Sequence, residues 1–522
     1  MGTRAVPFTL TCLAALLLVT AFVYTWRLGD APRYLSADET HFALHGLQLA
    51  NTGTDLSGRA HPIFFKIFDP LAAVDKMHVW YQPYLFYVLA GAFTIEPFSE
   101  SSLRLPQALI GVLNVALMFL VARRIFRSPA LALVAAFALA ISPAHFLFSR
   151  KAGDDFLPLP FVLGWLLFVQ RYLDARQPRD LIAAAGILGA GVFTYISCWL
   201  LLPVLAAATV VTVRPPWRLA LGAAVAFAVP ALVLLPLQQN LVQVLADLTS
   251  RYQVGASTVT RFDLYDRITL FWSYFNPSFL FFAGGGDLLM ATSQAGVFLL
   301  PLAPLLLLGL VELIRRRTPA AMLIVIGFLA TPLPIAVLLP EAPQSATGRI
   351  LPMLVFGVLA AVAGVEMLWR RATAPARALV IVLLTAKIAG FLLFRADYFG
   401  DYQNRAWRRF DPNATRDLIE TIITLDRQQS VPAVLINDDG DNKGIRWRFY
   451  TAKHQRDDLW QRSRYFHVED AQAVDGAPVT SLLLMQANDP RSARLLAAGC
   501  TKVATVLAVD GQPATDIFRR DR

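Results

Sequence analysis

Charge is scarce in this chain. Charged residues make up 16% of its 522 positions, against 56% hydrophobic, where an ordinary soluble domain carries about 25% charged residues. With a mean hydropathy of +0.51, most of the chain is dissolved in lipid, and a soluble enzyme is a poor reading. Cysteine is nearly missing: Cys12 and Cys198 lie in apolar runs and Cys500 in the tail, which argues against a disulfide framework or a cysteine zinc site. There is no Walker A loop, no dinucleotide glycine pattern after a strand and no Gly-x-Ser-x-Gly elbow. Internal repeats, coiled-coil heptads and low-complexity tracts are absent as well.

What the chain does have is a succession of apolar runs near the ~20 residues that span a hydrocarbon core. They cover 7–26, 104–121, 130–148, 156–172, 181–197, 199–213, 219–237, 296–314, 320–339, 350–369 and 378–394. The first resembles a signal sequence, yet no small-x-small cleavage site follows it, so it reads as an uncleaved span. The net charge of +10 would suggest nucleic acid in a soluble protein, but its distribution gives another cause. Arg123, Arg124 and Arg127; Arg171, Arg176 and Arg179; Arg214 and Arg218; Arg315 to Arg317; and Arg370, Arg371 and Arg377 fall in alternate loops. That is the positive-inside bias of a cytoplasmic face. The expectation is eleven spans, amino end in the cytoplasm and carboxyl end outside it, in contact with membrane lipids and with no nucleic-acid partner.

The apolar stretch 84–95 is too short to span and reads as a re-entrant or interfacial helix. Outside loops then cover 27–103, 149–155, 238–295 and 340–349, and long loops of this kind are usually functional or mobile. Pro301/Pro304 and Pro332/Pro334 read as kinks in spans. Beyond residue 394 charges become dense. Strand-like segments at 431–436, 481–485 and 502–508 alternate there with helical ones at 414–426 and 490–498. The expected organisation is an α-helical polytopic membrane domain over 1–394 and a small α/β domain over 395–522 outside the cytoplasm.

Several outside charges are candidates for chemistry. Asp38-Glu39 follows the first span, where the plain alternative is helix capping. Asp154-Asp155 closes the short loop before the fourth span, where helix initiation is the alternative. The topology puts both pairs on one side, at the mouths of neighbouring spans. Arg349 opens a span against the positive-inside trend; it either snorkels to headgroups or binds phosphate, which its planar donors suit. Lys66, Arg150, Lys151 and Arg261 are weaker candidates for the same task, with solvated loop charges as the alternative. His41 and His45, one helical turn apart, offer a weak metal pair without a His-Glu-x-x-His pattern; no cofactor is certain. The segment 437–444 resembles a calcium loop superficially but lacks the closing acid, so it reads as a strand-ending turn.

In order along the chain stand Asp38-Glu39, Gln82-Pro83-Tyr84-Leu85, Leu103-Arg104-Leu105-Pro106, Ile141-Ser142-Pro143, Ser149-Arg150 leading to Asp155, Phe275-Asn276-Pro277-Ser278 and Arg349-Ile350-Leu351-Pro352. Together they resemble the polyprenyl-phosphate-sugar-dependent glycosyltransferases of the GT-C class. Closest in look are bacterial family-39-type enzymes, relatives of protein O-mannosyltransferases and lipid A aminoarabinose transferases.

The resemblance implies a multi-pass enzyme of the plasma membrane, the inner membrane in a bacterium. Such an enzyme transfers a sugar, with inversion, from a lipid-phosphate donor to a hydroxyl of a lipid, polysaccharide or protein. It implies Asp38 as the base, with Glu39 and Asp155 assisting and Asp154 shaping the site. Arg349 would hold the donor phosphate, with Lys66 and Arg261 as further candidates. Relatives often carry lysine or histidine where Gln82 stands, and His78 or Lys66 would be the substitutes. The rival reading is a transporter or flippase of lipid-linked substrates, but such proteins show inverted repeats and mid-membrane broken helices, whereas the acids here cluster at one face.

Overall fold

The computed structural model describes residues 5–72, 79–254, 264–338, 346–371, 373–439 and 443–521. Apolar runs broken by arginine and proline dictate its first part. In chain order come α1 (Ala5–Thr25), α2 (Ala37–Thr52), a hairpin of β1 (Phe65–Ile67) and β2 (Val79–Tyr81), α3 (Tyr84–Phe93) and α4 (Glu100–Phe126). Next are α5 (Pro129–Ala140), α6 (Pro143–Ser149), α7 (Pro158–Ala175), α8 (Pro178–Gly191), α9 (Cys198–Val213) and α10 (Trp217–Leu234). After α11 (Leu241–Val254) and α12 (Leu264–Ser273) follow α13 (Ala303–Arg316), α14 (Pro319–Ala330), α15 (Leu333–Leu338), α16 (Pro352–Arg370) and α17 (Ala374–Phe399).

Four of the five arginine clusters sit in turns of one design. Arg127, Arg176, Arg214 and Arg317 each end a helix in the left-handed region, with φ of 52°, 53°, 52° and 51°. A proline lies within the next two residues; Pro129, Pro178 and Pro319 open the following helix, where the fixed φ and missing N–H cost nothing, and Pro216 immediately precedes the helix that starts at Trp217. Ser128 and Thr318 cap the new helix through the N–H of Leu131 and Ala321. A cation at the helix end also suits its dipole. These turns gather the arginines at one end of the bundle and send each helix back towards the other.

Every expected span holds a helix, though their lengths differ. Among the described residues seven helices are long and apolar enough to cross a membrane, or eight if α5 and α6, bent by 62° at Ile141-Ser142, count as one. At three of the remaining expected spans stand α8, α9 and α13, of 14, 16 and 14 residues, short of the ~20 that a straight crossing takes. The segment read as re-entrant is the ten-residue α3. Breaks fall where the prolines stand, at Leu300–Leu302 before α13 and at Thr331-Pro332 between α14 and α15.

The core centres on α16, whose apolar stretch is 89% buried. It packs on α13 at backbone distance: a Cβ on Gly309 would lie 1.7 Å from the Ala360 carbonyl, and one on Gly364 would lie 2.1 Å from that of Leu305. Only glycine fits there, as expected where helices associate without water to drive them.

After α17, α18 (Asp401–Phe410) and α19 (Thr415–Gln428) lead into β3 (Val434–Asn437), α20 (Lys443–Lys453), α21 (Asp457–Gln461), β4 (Ser463–Phe466), α22 (Ala471–Asp475), β5 (Leu482–Gln486), α23 (Ser492–Ala497), β6 (Cys500–Leu507) and β7 (Pro513–Arg520). The sheet order is β4-β3-β5-β7-β6, parallel among β4, β3 and β5 and antiparallel at β7 and β6. Alternation along the strands sends Val434, Ile436 and Leu484 into the core shared with the helical bundle, and Leu435, Leu483 and Phe518 into a second core on the far face. Polar contacts tie this domain down as well: Tyr465 donates to Asp69 at 2.6 Å, Lys453 to Glu100 at 2.8 Å and Arg416 to Asp30 at 3.1 Å. The turn 437–444 lies partly outside the described residues; β3 ends on its first residue, and Lys443 binds Asp439 at 2.6 Å.

Candidate active site

At the end of the bundle opposite the arginine turns lies a cavity of about 450 Å³. Asp38, Asp154, Asp155 and Arg349 all line it, although they come from three separate parts of the chain. Gln82, Lys151, Tyr81, Asp287 and Arg409 line it too.

The first wall is the start of α2. Ser36 caps that helix and forms a reciprocal box with Glu39: the Glu39 N–H donates to the Ser36 hydroxyl, and the Ser36 N–H to Glu39 Oε2 at 3.0 Å. Successive helical residues point about 100° apart, so committing Glu39 inward leaves Asp38 facing the cavity. Its Oδ1 accepts from the Tyr81 hydroxyl at 2.8 Å.

Glu39 does not line the cavity. It is wholly buried and bound by Arg104, Nε to Oε1 at 2.8 Å and Nη2 to Oε2 at 3.3 Å, and it accepts the Ala152 N–H at 3.2 Å. Arg104 also donates to the carbonyls of Leu28, Pro32 and Tyr34. Arg150, considered from the sequence as a phosphate ligand, is likewise buried. It caps the end of α1 through the carbonyls of Tyr24 and Arg27 and reaches that of Ala31. Two buried guanidinium groups thus fix the linker from α1 to α2, and with it Asp38.

The second wall is the turn Asp154–Phe156 ahead of α7. Asp155 Oδ2 lies 3.9 Å from Lys151 Nζ, while Oδ1 has no hydrogen-bond donor among the described residues. Lys151 is itself held by the Leu289 carbonyl at 3.3 Å. Opposite stands the turn Thr347–Ile350. A Cβ on Gly348 would meet Asp155 Oδ2 at 2.3 Å, so glycine is what lets this turn approach the carboxylate. The charges of Arg349 and Asp38 both reach Asp154 and Asp155. The third wall is an ion pair, Arg409 Nε and Nη2 to Asp287 Oδ1 and Oδ2, each at 2.8 Å. Burial works against the Asp287 charge, but this pairing and the Leu289 N–H outweigh it and hold its carboxyl below the usual range.

Other candidates stand elsewhere. Lys66 is on β1 and does not line the cavity; His78 and Arg261 lie outside the described residues. Gln82 lines the cavity, buried, with Oε1 unpartnered among the described residues. His41 and His45 are buried in α2, away from the cavity, with His45 edge-on to Phe65 and Phe86. Among the described residues no three metal-ligating side chains come together.

Burial first, then the charge of Arg446, lowers His41 to about 3, and burial lowers His45 well below its ordinary 6.5. Below pH 6.5 the unfolded chain therefore takes up protons that the folded chain does not. Stability is complete above that pH and falls as pH drops towards 3, by up to ~1.4 kcal/mol per pH unit for each histidine. His41→Leu, which removes a ring with no partner at either nitrogen among the described residues, should flatten that acid limb in melting curves between pH 4 and 7.

The comparisons fit this geometry. Residues 81–237 match the sequence model of the dolichyl-phosphate-mannose-protein mannosyltransferase family. Among curated proteins none matches the sequence. The fold is similar to that of ArnT from Cupriavidus metallidurans in the apo state, with a TM-score of 0.56 and 16% identity over 98% of each chain. For the same enzyme bound to undecaprenyl phosphate the values are 0.56 and 14%, over 99% of this chain and 98% of that one. The Archaeoglobus fulgidus oligosaccharyltransferase gives 0.53 and 16%, over 91% of this chain and 69% of that one. The resemblance read from the sequence is thus borne out at the level of the fold: the chain is a multi-pass membrane protein of GT-C architecture, and residues 81–237 carry the pattern of the mannosyltransferase family.

Proposed function

We propose that the protein is a membrane glycosyltransferase that moves a sugar from a polyprenyl-phosphate carrier to an acceptor hydroxyl in this cavity, on the face away from the cytoplasm. One observation carries the reading: Asp38, Asp154 and Asp155 line a single cavity with the cations Lys151 and Arg349, although these residues come from three distant parts of the chain. The family description names a dolichyl-phosphate sugar, and the ArnT structure holds undecaprenyl phosphate; both support a lipid-phosphate donor.

The chemistry follows from the groups present. With Oδ1 held by Tyr81, Asp38 keeps its second oxygen to take the proton of the acceptor hydroxyl. The hydroxyl oxygen bonds to the anomeric carbon as the bond from that carbon to the phosphate oxygen breaks, in one displacement with inversion. The departing phosphomonoester gains negative charge, which Arg349 and Lys151 stabilise more in the transition state than in the ground state. Asp155, which lines the same cavity beside Lys151, assists in shaping the acceptor site.

Mass analysis of membrane lipids with and without the protein tests the reading: without it a polyprenyl-phosphate sugar should accumulate and a glycosylated product disappear, and identical profiles would overturn it. In the purified protein, Arg349→Gln should slow transfer by roughly 10²–10³-fold, as loss of a donor to a developing oxyanion does. Full activity of that variant would remove Arg349 from the phosphate site.

A further inference from the structure

A second cavity, of about 320 Å³, opens among α7, α8, α9 and α10 at the arginine end of the bundle. Seven alanines line it, among them Ala184, Ala207 and Ala223, and their small side chains leave the space unfilled. Thr209 also lines it, but its hydroxyl already donates to the Leu205 carbonyl at 2.8 Å and accepts from Trp165 Nε1 at 3.1 Å. A cavity without unmet polar groups does not hold water. From Ala220 to Phe227 on α10 it runs seven residues deep, about 10 Å, or roughly a third of a hydrocarbon core. An apolar chain end matches it in depth and in chemistry.

Charge identifies the rest of the occupant. The cavity begins at Leu181, Pro215 and Ala220, one or two residues beyond Arg179, Arg214 and Arg218. These three and Arg176 are exposed, and none is in an ion pair among the described residues. We propose that the groove holds an acyl chain of an anionic phospholipid, with the headgroup phosphate among Arg176, Arg179, Arg214 and Arg218. The site lies at the opposite end of the bundle from the aspartates and does not depend on the proposed reaction.

Nanodiscs of equal parts phosphatidylglycerol and phosphatidylcholine, followed by native mass spectrometry of the released protein, would test this. The full chain should retain phosphatidylglycerol in preference to phosphatidylcholine. In Arg214→Gln/Arg218→Gln that preference should fall by on the order of tenfold or more, from the attraction of each basic residue near an anionic lipid surface. Ala207→Leu/Ala223→Leu, which fills the cavity, should release the retained lipid of either kind. The arginine variant alters only exposed positions, so its result stands even where the filled variant does not fold. An unchanged lipid preference in the arginine variant overturns the proposal. So does a retained polyprenyl phosphate in place of phospholipid, which would make the groove a seat for the carrier tail.

Discussion

Replacing Asp38 by asparagine should lower the rate of sugar transfer by about 10²–10⁴-fold, the contribution expected of a positioned general base. Asparagine keeps the shape of the side chain and can still accept from the Tyr81 hydroxyl, so binding and fold are retained. What it loses is the ability to hold the acceptor proton. Asp38 is exposed to the cavity, whereas Asp154 and Asp155 are buried and share their surroundings with Arg349 and Lys151. A base that must meet an incoming acceptor is better served by the first position. The measurement is single-turnover transfer by the purified variant with donor in excess, beside its melting temperature. Undiminished transfer would remove Asp38 from this role. A loss on Asp155→Asn alone would move the role there.

The sequence revealed the helical part of the fold because lipid demands long apolar runs and the arginines record their orientation. It did not reveal the shortness of α8 and α13, since hydropathy runs on through residues that leave the helix: 192–197 continues the apolar run of α8 but holds turns. In the tail, β3, β5 and β6 were legible from their aliphatic character, while β4 (Ser463–Phe466) and β7 (Pro513–Arg520) were not. β7 pairs on both sides yet contains Asp516, whose charge meets Lys502 on the neighbouring β6, a partner that only the folded sheet supplies.

The candidate site divides in the same way. Asp38, Asp154, Asp155 and Arg349 were legible because each is a charge out of place at a span mouth, and the structure brings them to one cavity. The inward turn of Glu39 was legible too, in a signal passed over: Ser36-Ala37-Asp38-Glu39 is the pattern of a reciprocal helix cap, which commits the fourth residue to the backbone of the first. Lys151 stood among surface charges, and only its burial against Leu289 and Met290 sets it apart. The pair of Asp287 and Arg409 had no sequence signal, because 122 residues separate its members.

Glu39 and Arg104 give the second large effect, on stability rather than on chemistry. Arg104→Met leaves the Glu39 carboxylate buried without its cation, a change that costs about 3–5 kcal/mol. It also frees the carbonyls of Leu28, Pro32 and Tyr34, which now tie down the linker that carries Asp38. Glu39→Gln keeps the shape of the cap but leaves the buried Arg104 guanidinium without its anion, and should likewise cost about 3–5 kcal/mol. The double variant Arg104→Met/Glu39→Gln should be destabilised by less than the two single changes added, because it strands no charge. Thermal unfolding of the three variants in one detergent measures these differences. At a temperature where Glu39→Gln is folded, its transfer rate should show the pH dependence of the unaltered protein, since Glu39 touches neither the cavity nor Asp38's proton. If Glu39→Gln instead lost transfer a hundredfold at an unchanged melting temperature, the carboxylate would belong with the reacting groups and the division of the acidic pair drawn from the helix cap would fail.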